Sequence, residues 1–189
     1  MTEVQLLGWL VCCLALVLAL NLKLTFTLYK KVRDLPGFIQ QPEPLLAGSV
    51  LPQLTGTTLL ETEPELVWQH GYATTLLFLA SRCSKCKQKL AELPALLQLA
   101  QGSGLEIKLI TTERARPYQG FLAEPQLAKQ CIRVRQLDYL QLNPQQISPA
   151  YLFIDQQGQV EATGLIGDEN WLLFCEQLQM MADAQQDVA

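Results

Sequence analysis

Between Val4 and Leu22 the chain runs for nineteen residues without an Asp, Glu, Lys, Arg or His, with LLGWLVCCLALVLAL at its heart. A helix of that length is about 28 Å long at 1.5 Å per residue, close to the hydrocarbon thickness of a bilayer. The segment is apolar all round. It has no solvated stripe and so cannot lie on a protein surface as an amphipathic helix does. A buried core helix is the alternative, but the segment sits at one end of the chain, away from the patterned part. It predicts a membrane anchor over residues 4–28. No basic stretch precedes it and no small-x-small site follows Leu22, so a retained anchor is expected rather than a cleaved signal peptide. Lys23 is placed to snorkel, and Tyr29, Lys30, Lys31 and Arg33 fall at headgroup level.

Beyond residue 33 the chain carries ten basic residues against seventeen acidic ones, a net charge near −7. Polyanions need clustered positive charge, so this excludes a nucleic-acid partner. Residues 34–56 hold four prolines and three glycines without a sustained period. Residues 29–56 are therefore expected to be a linker and lead-in, and residues 57–189 the folded domain.

Within that domain the pattern sharpens. Thr74–Ala80 (TTLLFLA) predicts a central strand buried on both faces. Ser84 to about Ala100, rich in Lys, Gln, Leu, Ala and Glu, predicts a helix stopped by Gly102 and Gly104. Leu105–Thr111 predicts a second strand, Glu124–Ile132 a helix, and Arg133–Tyr139 an element of unresolved type. Ala150–Asp155, the turn Gln156–Gln159 and Val160–Gly164 predict a hairpin, and Glu169–Ala182 a final amphipathic helix. The order implies an α/β fold, a mixed sheet with helices against it.

The chemistry concentrates where the first strand meets its helix. SRCSKCKQKL (81–90) places Cys83 and Cys86 two residues apart among Arg82, Lys85, Lys87 and Lys89. At a helix N-terminus the unpaired N–H groups stabilise an anion by a few tenths to about 2 kcal/mol. Arg82 and Lys85 add positive charge and are expected to tune the pKa. Cys83 is therefore the expected nucleophile, and Cys86, one turn in, the residue that resolves a mixed disulfide. No cofactor is implied beyond that cysteine pair.

Other uses of the pair fare worse. A tetrahedral zinc site needs four ligands, yet the chain has one histidine, His70, in a turn signal beside Gly71, and Cys131 and Cys175 stand alone in apolar stretches. No metal site is expected. Peroxide-reducing thiols carry a proline and a threonine seven and three residues before the nucleophile, where this chain has Leu76 and Ala80. Cys12 and Cys13 fall within the presumed span, so a disulfide framework is not expected. Finally, Ile147-Ser148-Pro149-Ala150 opens a predicted strand with a proline, which strands tolerate at their first position and which permits a cis peptide cheaply.

Together, the strand–CxxC–helix unit and the Ser148-Pro149 strand opening resemble the thioredoxin-like superfamily. Within it the chain resembles the membrane-anchored TlpA-type proteins. It is most similar to the methylamine dehydrogenase accessory family MauD, on the uncharged span with basic residues after it, TTLLFLASRCSKCKQKL and SPAYLFIDQQGQVEATGLIGDENW. The resemblance implies a redox-active Cys83–Cys86 disulfide and a loop in which Ser148 and Pro149 dock an extended client. It implies a protein client with cysteines, made competent by forming or correcting disulfides in a periplasmic dehydrogenase, with a membrane redox partner as a further candidate. Two alternatives stand beside it: a TlpA-type thiol reductant serving cytochrome c maturation, and a non-enzymatic membrane-tethered assembly module.

The charge rule, read on the four basic residues after the span, puts the domain in the cytoplasm. The resemblance implies a single-pass inner-membrane protein with a periplasmic domain, and that is the expectation taken forward. Three departures accompany it. Ser84-Lys85 replaces the proline-containing pair, Pro94 falls a turn late, and Leu77 stands where thioredoxin has a buried acid.

Overall fold

Six consecutive residues, Ala73–Phe78, organise the chain. In the computed structural model, which describes residues 3–33, 45–60 and 64–186, they form the central strand β3. Further elements are α1 (Glu3–Arg33), β1 (Thr55–Thr58), β2 (Pro64–Leu66), α2 (Ser84–Leu90), α3 (Leu93–Ala100), β4 (Leu105–Thr111), α4 (Ala115–Leu122) and α5 (Pro125–Lys129). After these come β5 (Cys131–Arg133), α6 (Gln136–Leu142), β6 (Ala150–Ile154), β7 (Val160–Leu165) and α7 (Glu169–Gln186).

Two compact units result, Met1–Pro42 and Glu43–Ala189. The first is α1. Its stretch Leu7–Lys31 is long and apolar enough to cross a membrane, and none of it is buried against protein. The polar residues inside it help themselves: Thr25 and Thr27 donate their hydroxyls to the Asn21 and Lys23 carbonyls at 2.9 and 2.7 Å, so these hydroxyls need no water.

The second unit is a seven-stranded mixed sheet in the order β2-β1-β5-β4-β3-β6-β7. Strand β3 runs parallel to β4 and antiparallel to β6, with Phe78 opposite both Ile110 and Ala150. The apolar run TTLLF makes sense there, because both faces are covered. Leu77 and Leu109 join one core cluster with Cys86, Leu93, Tyr118, Leu127 and Trp171, from α2, α3, α4, α5 and α7. Leu76, Phe78 and Ile110 join the other with Leu51, Trp68 and Leu142. The period-2 alternation of strand side chains feeds the two layers in turn.

Several expectations change. The helix expected over 84–100 is two helices. A proline inside a helix removes an N–H and clashes with the carbonyl four residues back; the chain instead closes α2 at Ala91 and restarts so that Pro94 lies in the first turn of α3. The helix expected over Glu124–Ile132 stops at Lys129, because Cys131–Arg133 pairs in parallel with Leu109–Thr111. Of the unresolved element at Arg133–Tyr139, Arg133 closes β5 and Gln136 opens α6, which carries on to Leu142. Strands β1 and β2 and helix α4 were not legible.

The lead-in expected to end at residue 56 packs onto the domain from Leu45; residues 34–44 lie outside the described residues. The Gly48 and Leu51 amides donate to the Val160 and Gly158 carbonyls at 2.7 and 3.0 Å, and Leu51 and Leu54 are buried. Gly158 is required at its turn: φ is +86° and an added Cβ would overlap the Trp68 ring.

Candidate active site

The chain leaves β3 at Phe78 and makes a tight turn before α2. Three groups hold that turn. Tyr118 donates its hydroxyl to the Leu79 carbonyl at 3.0 Å, and the Glu113 carboxylate accepts the Ser81 amide at 2.9 Å and the Ser81 hydroxyl at 2.5 Å. The Cys83 amide closes the turn on the Ala80 carbonyl at 3.0 Å.

Cys83 then serves as the N-cap of α2, with extended φ and ψ of −89° and 120°. A cap residue accepts an amide from the first helical turn through its side chain, and here a sulfur does so: Cys86 N–H donates to Cys83 Sγ at 3.3 Å. Cys83 is half-buried, whereas Cys86 is completely buried. Both are free thiols, and Ala80 N–H donates to Cys86 Sγ at 3.4 Å.

The two thiols are driven apart in acidity. The Cys83 pKa is lowered, first by the hydrogen bond from the Cys86 thiol against an opposing cost of desolvation, then by the Cys86 and Lys85 amides and the Lys85 charge. Burial pushes Cys86 the other way, from 9.0 up to about 11. Helix α2 has only seven residues, so local hydrogen bonds rather than a long helix's dipole lower Cys83, while desolvation raises Cys86. Arg82 and Lys85, expected to tune the site, are both exposed, and Lys85 acts through its amide as well as its charge.

Opposite Cys83 lies the loop Asn143–Pro149. The Ser148–Pro149 peptide is cis, and the Ser148 carbonyl faces Cys83 Sγ at 3.8 Å, within reach of the thiol proton. The Ser148 side chain addresses the other sulfur, with a hydrogen bond that lowers Cys86 against the larger effect of its burial. The structure thus brings Cys83, Cys86, Ser148 and Pro149 together.

His70 is elsewhere, set edge-on against Trp68 at 4.8 Å. Cys131 opens β5 opposite Leu109 of β4 and is buried in the cluster that holds Cys86, its pKa raised by desolvation. Cys175 is partly buried on α7. Among the described residues no group of three or more His, Cys, Asp or Glu side chains is placed to hold a metal.

Two residues of the surroundings escaped the sequence: Glu113 and Asn143. Glu113 follows the carboxyl end of a central strand, where open α/β sheets gather their sites. Asn143 precedes Pro144, a turn signal with no hint of what the side chain does.

Such an arrangement can exchange thiols for disulfides. It offers a half-exposed sulfur inclined to ionise, a buried partner one turn away, and a backbone carbonyl at the entrance.

No family model matches the sequence, and no curated relative matches it. Solved structures do. The thioredoxin domain of a thiol-disulfide oxidoreductase from Bacteroides vulgatus is 20% identical over 71% of this chain and 99% of its own, with a TM-score of 0.57. A thiol:disulfide interchange protein of the thioredoxin family from Chlorobium tepidum is 16% identical over 74% and 99%, also at 0.57. A peroxiredoxin-like protein from Aquifex aeolicus is 13% identical over 74% and 90%, at 0.56. Relatives this distant, with different chemistries printed in their names, speak to architecture alone, and on that they agree: the folded domain of this chain has the thioredoxin-like fold.

Proposed function

We propose that this chain is a membrane-tethered thiol–disulfide oxidoreductase. The observation that carries the proposal is the asymmetry at α2: Cys83 half-exposed with lowered pKa, Cys86 buried and held up at about 11, and the Ser148 carbonyl 3.8 Å from the first sulfur. Only a thiolate attacks a disulfide, and of the two thiols Cys83 is the one whose ionisation is favoured.

In the reductive direction Cys83 Sγ⁻ attacks a client disulfide. One client sulfur leaves as thiolate and the other joins Cys83. Cys86 then loses its proton and attacks Cys83 Sγ, the second client sulfur leaves, and a Cys83–Cys86 disulfide remains; the client has gained two electrons. The same steps reversed oxidise a client dithiol. The Ser148 and Pro149 loop docks the client backbone beside the sulfur, and α1 tethers the domain to a bilayer.

Departures from the peroxiredoxin pattern at Leu76 and Ala80 favour thiol exchange over peroxide reduction on this shared fold. The similarity to MauD supports a periplasmic domain and a client that is a disulfide-rich dehydrogenase subunit; a membrane protein exchanging electrons with the Cys83–Cys86 pair completes the cycle.

Cys86→Ala tests this. Without the resolving thiol, a Cys83–client disulfide should accumulate and be lost on adding dithiothreitol, with mass spectrometry naming the client. A dehydrogenase subunit supports the full proposal. An apocytochrome replaces it with the cytochrome-maturation alternative. Client maturation unchanged in Cys83→Ser leaves only a tethered assembly module.

A further inference from the structure

Asn143 is buried, 7% exposed, at the end of α6. A buried amide is costly unless its polar atoms are matched, and here every one is. Its backbone N–H donates to the Tyr139 carbonyl at 2.8 Å, and its carbonyl accepts the Gln146 amide at 3.0 Å. Its side chain turns to a single residue of the docking loop. Oδ1 accepts the Ile147 N–H at 3.1 Å, and Nδ2 donates to the Ile147 carbonyl at 2.8 Å and to the Tyr139 hydroxyl at 3.2 Å. Only one orientation of the amide fits, since the reverse would set NH₂ against an N–H and oxygen against a carbonyl.

The side chain therefore pairs with Ile147 as a neighbouring strand would, using both of its main-chain groups. Ile147 immediately precedes Ser148, and its own side chain is turned outward, 39% exposed. On the far side, the Pro149 carbonyl accepts the Ile166 amide at 3.2 Å. Ser148 is thus the residue between two pinned ones. Its carbonyl faces Cys83 Sγ at 3.8 Å, and its side chain reaches Cys86. Among the described residues the Ser148 N–H has no partner; it is the donor left for an incoming chain.

We infer that Asn143 is a positioning residue: its side-chain amide fixes Ile147 so that Ser148 presents its main chain to the client polypeptide beside Cys83. This rests on the thiol-exchange function proposed above. It specifies the substrate as an extended peptide bound through its backbone, so a small thiol compound with no flanking chain should not sense the clamp.

The test compares two substrates of the reduced full chain in detergent. One is an octapeptide whose single central cysteine is blocked as a mixed disulfide with 5-thio-2-nitrobenzoate; the other is N-acetylcysteine blocked in the same way. Attack by Cys83 on the substrate sulfur expels the coloured thiolate and leaves a Cys83–substrate disulfide. Cys86 then displaces the substrate thiol and closes the pair.

In Asn143→Asp the Nδ2 donors are lost while shape is kept. Each reduced chain reacts once, so the peptide-to-N-acetylcysteine ratio of single-turnover kmax/K½ is read. It should fall about tenfold, mostly through K½, as expected for losing the bond to the Ile147 carbonyl. Equal falls for both substrates, or no fall, overturn the inference. Should thermal unfolding show that this variant is not folded, Tyr139→Phe carries the test. It removes only the third partner of the amide, and should lower the same ratio about two- to threefold; an unchanged ratio overturns the inference. Wild-type protein that releases no colour from either substrate, or a Cys83→Ser variant that releases as much as wild type, sinks the function itself and not the clamp alone.

Discussion

The perturbation that probes the site most directly is pH, because the two sulfurs of α2 are held on opposite sides of the ordinary thiol value. Cys86 lies two units up, at about 11, which opposes its ionisation by about 3 kcal/mol. Cys83 lies below 9.0. At neutral pH ionisation alone therefore favours sulfur 83 by more than about a hundredfold. Part of this is returned, since a more basic thiolate is the better nucleophile: a Brønsted coefficient of about 0.4–0.5 over two units gives back roughly tenfold. At least about tenfold selectivity survives, and the complete burial of Cys86 adds to it. The assay is a timed pulse of iodoacetamide on the reduced chain between pH 6 and 10.5, read by fragment-ion mass spectrometry that resolves the two cysteines. The Cys83 rate should reach half its plateau below pH 9, whereas the Cys86 rate should climb tenfold per unit through pH 10. Equal rates at pH 7, or a Cys83 rate still rising steeply past pH 9, would refute the reasoning.

Stability should follow the same groups. Cys86, Cys131 and Tyr118 all have raised pKa values, caused first by desolvation. Their contribution is fully present below the unfolded values, about 8.5 for a thiol and 10 for tyrosine, and is lost as pH rises above them. Cys83 has the opposite sign but ionises lower, so the urea midpoint should fall between pH 9 and 10.5, and Cys131→Ala should flatten the fall. Gly158→Ala places a left-handed Cβ against the Trp68 ring. Strain of about 1–2 kcal/mol plus overpacking of about 1–3 should lower unfolding stability by about 2–5 kcal/mol in urea titrations. Lys108, 4% exposed, sits 3.2 Å from both Glu65 and Glu106 and donates to the Leu66 carbonyl at 2.8 Å. Lys108→Met should cost up to about 3 kcal/mol by stranding the two partly covered carboxylates. Adding Glu106→Gln should recover about 1 kcal/mol of that in a double-mutant cycle.

What the sequence revealed follows the range of the forces involved. Strand β4 matched Leu105–Thr111 to the residue because a central strand writes its burial into its own composition. The N-cap cysteine was legible because its chemistry is local to one turn. Strands β1 and β5 were not, since Thr57 pairs with Arg133 and Thr58 with Ile132 across some 75 positions, and neither segment has the apolar run that would announce it. CIR looked like the end of a helix until β4 supplied its hydrogen bonds. Glu113 and Asn143 failed to appear for a related reason: a loop acid and an Asn before Pro are ordinary in sequence, and only contact with Ser81 and Ile147 gives them work.

The distance that matters most, 3.8 Å between residues 65 positions apart, traces to a single pairing. Phe78 lies opposite Ala150 where β3 meets β6. Cys83 follows the first by five residues and Ser148 precedes the second by two, so this register delivers both to the same end of the sheet. A slip of one residue would move the loop by about 3.4 Å along the strand. It would also turn every β6 side chain to the opposite face, sending Tyr151 out of the cluster that holds Cys86 and Leu152 into it. That exchange would leave the Tyr151 hydroxyl without Asp168, its partner at 3.1 Å. The two core layers therefore enforce the register, and through it the reach of the docking loop to the sulfur. Their selection for packing and the site's selection for chemistry act on the same residues.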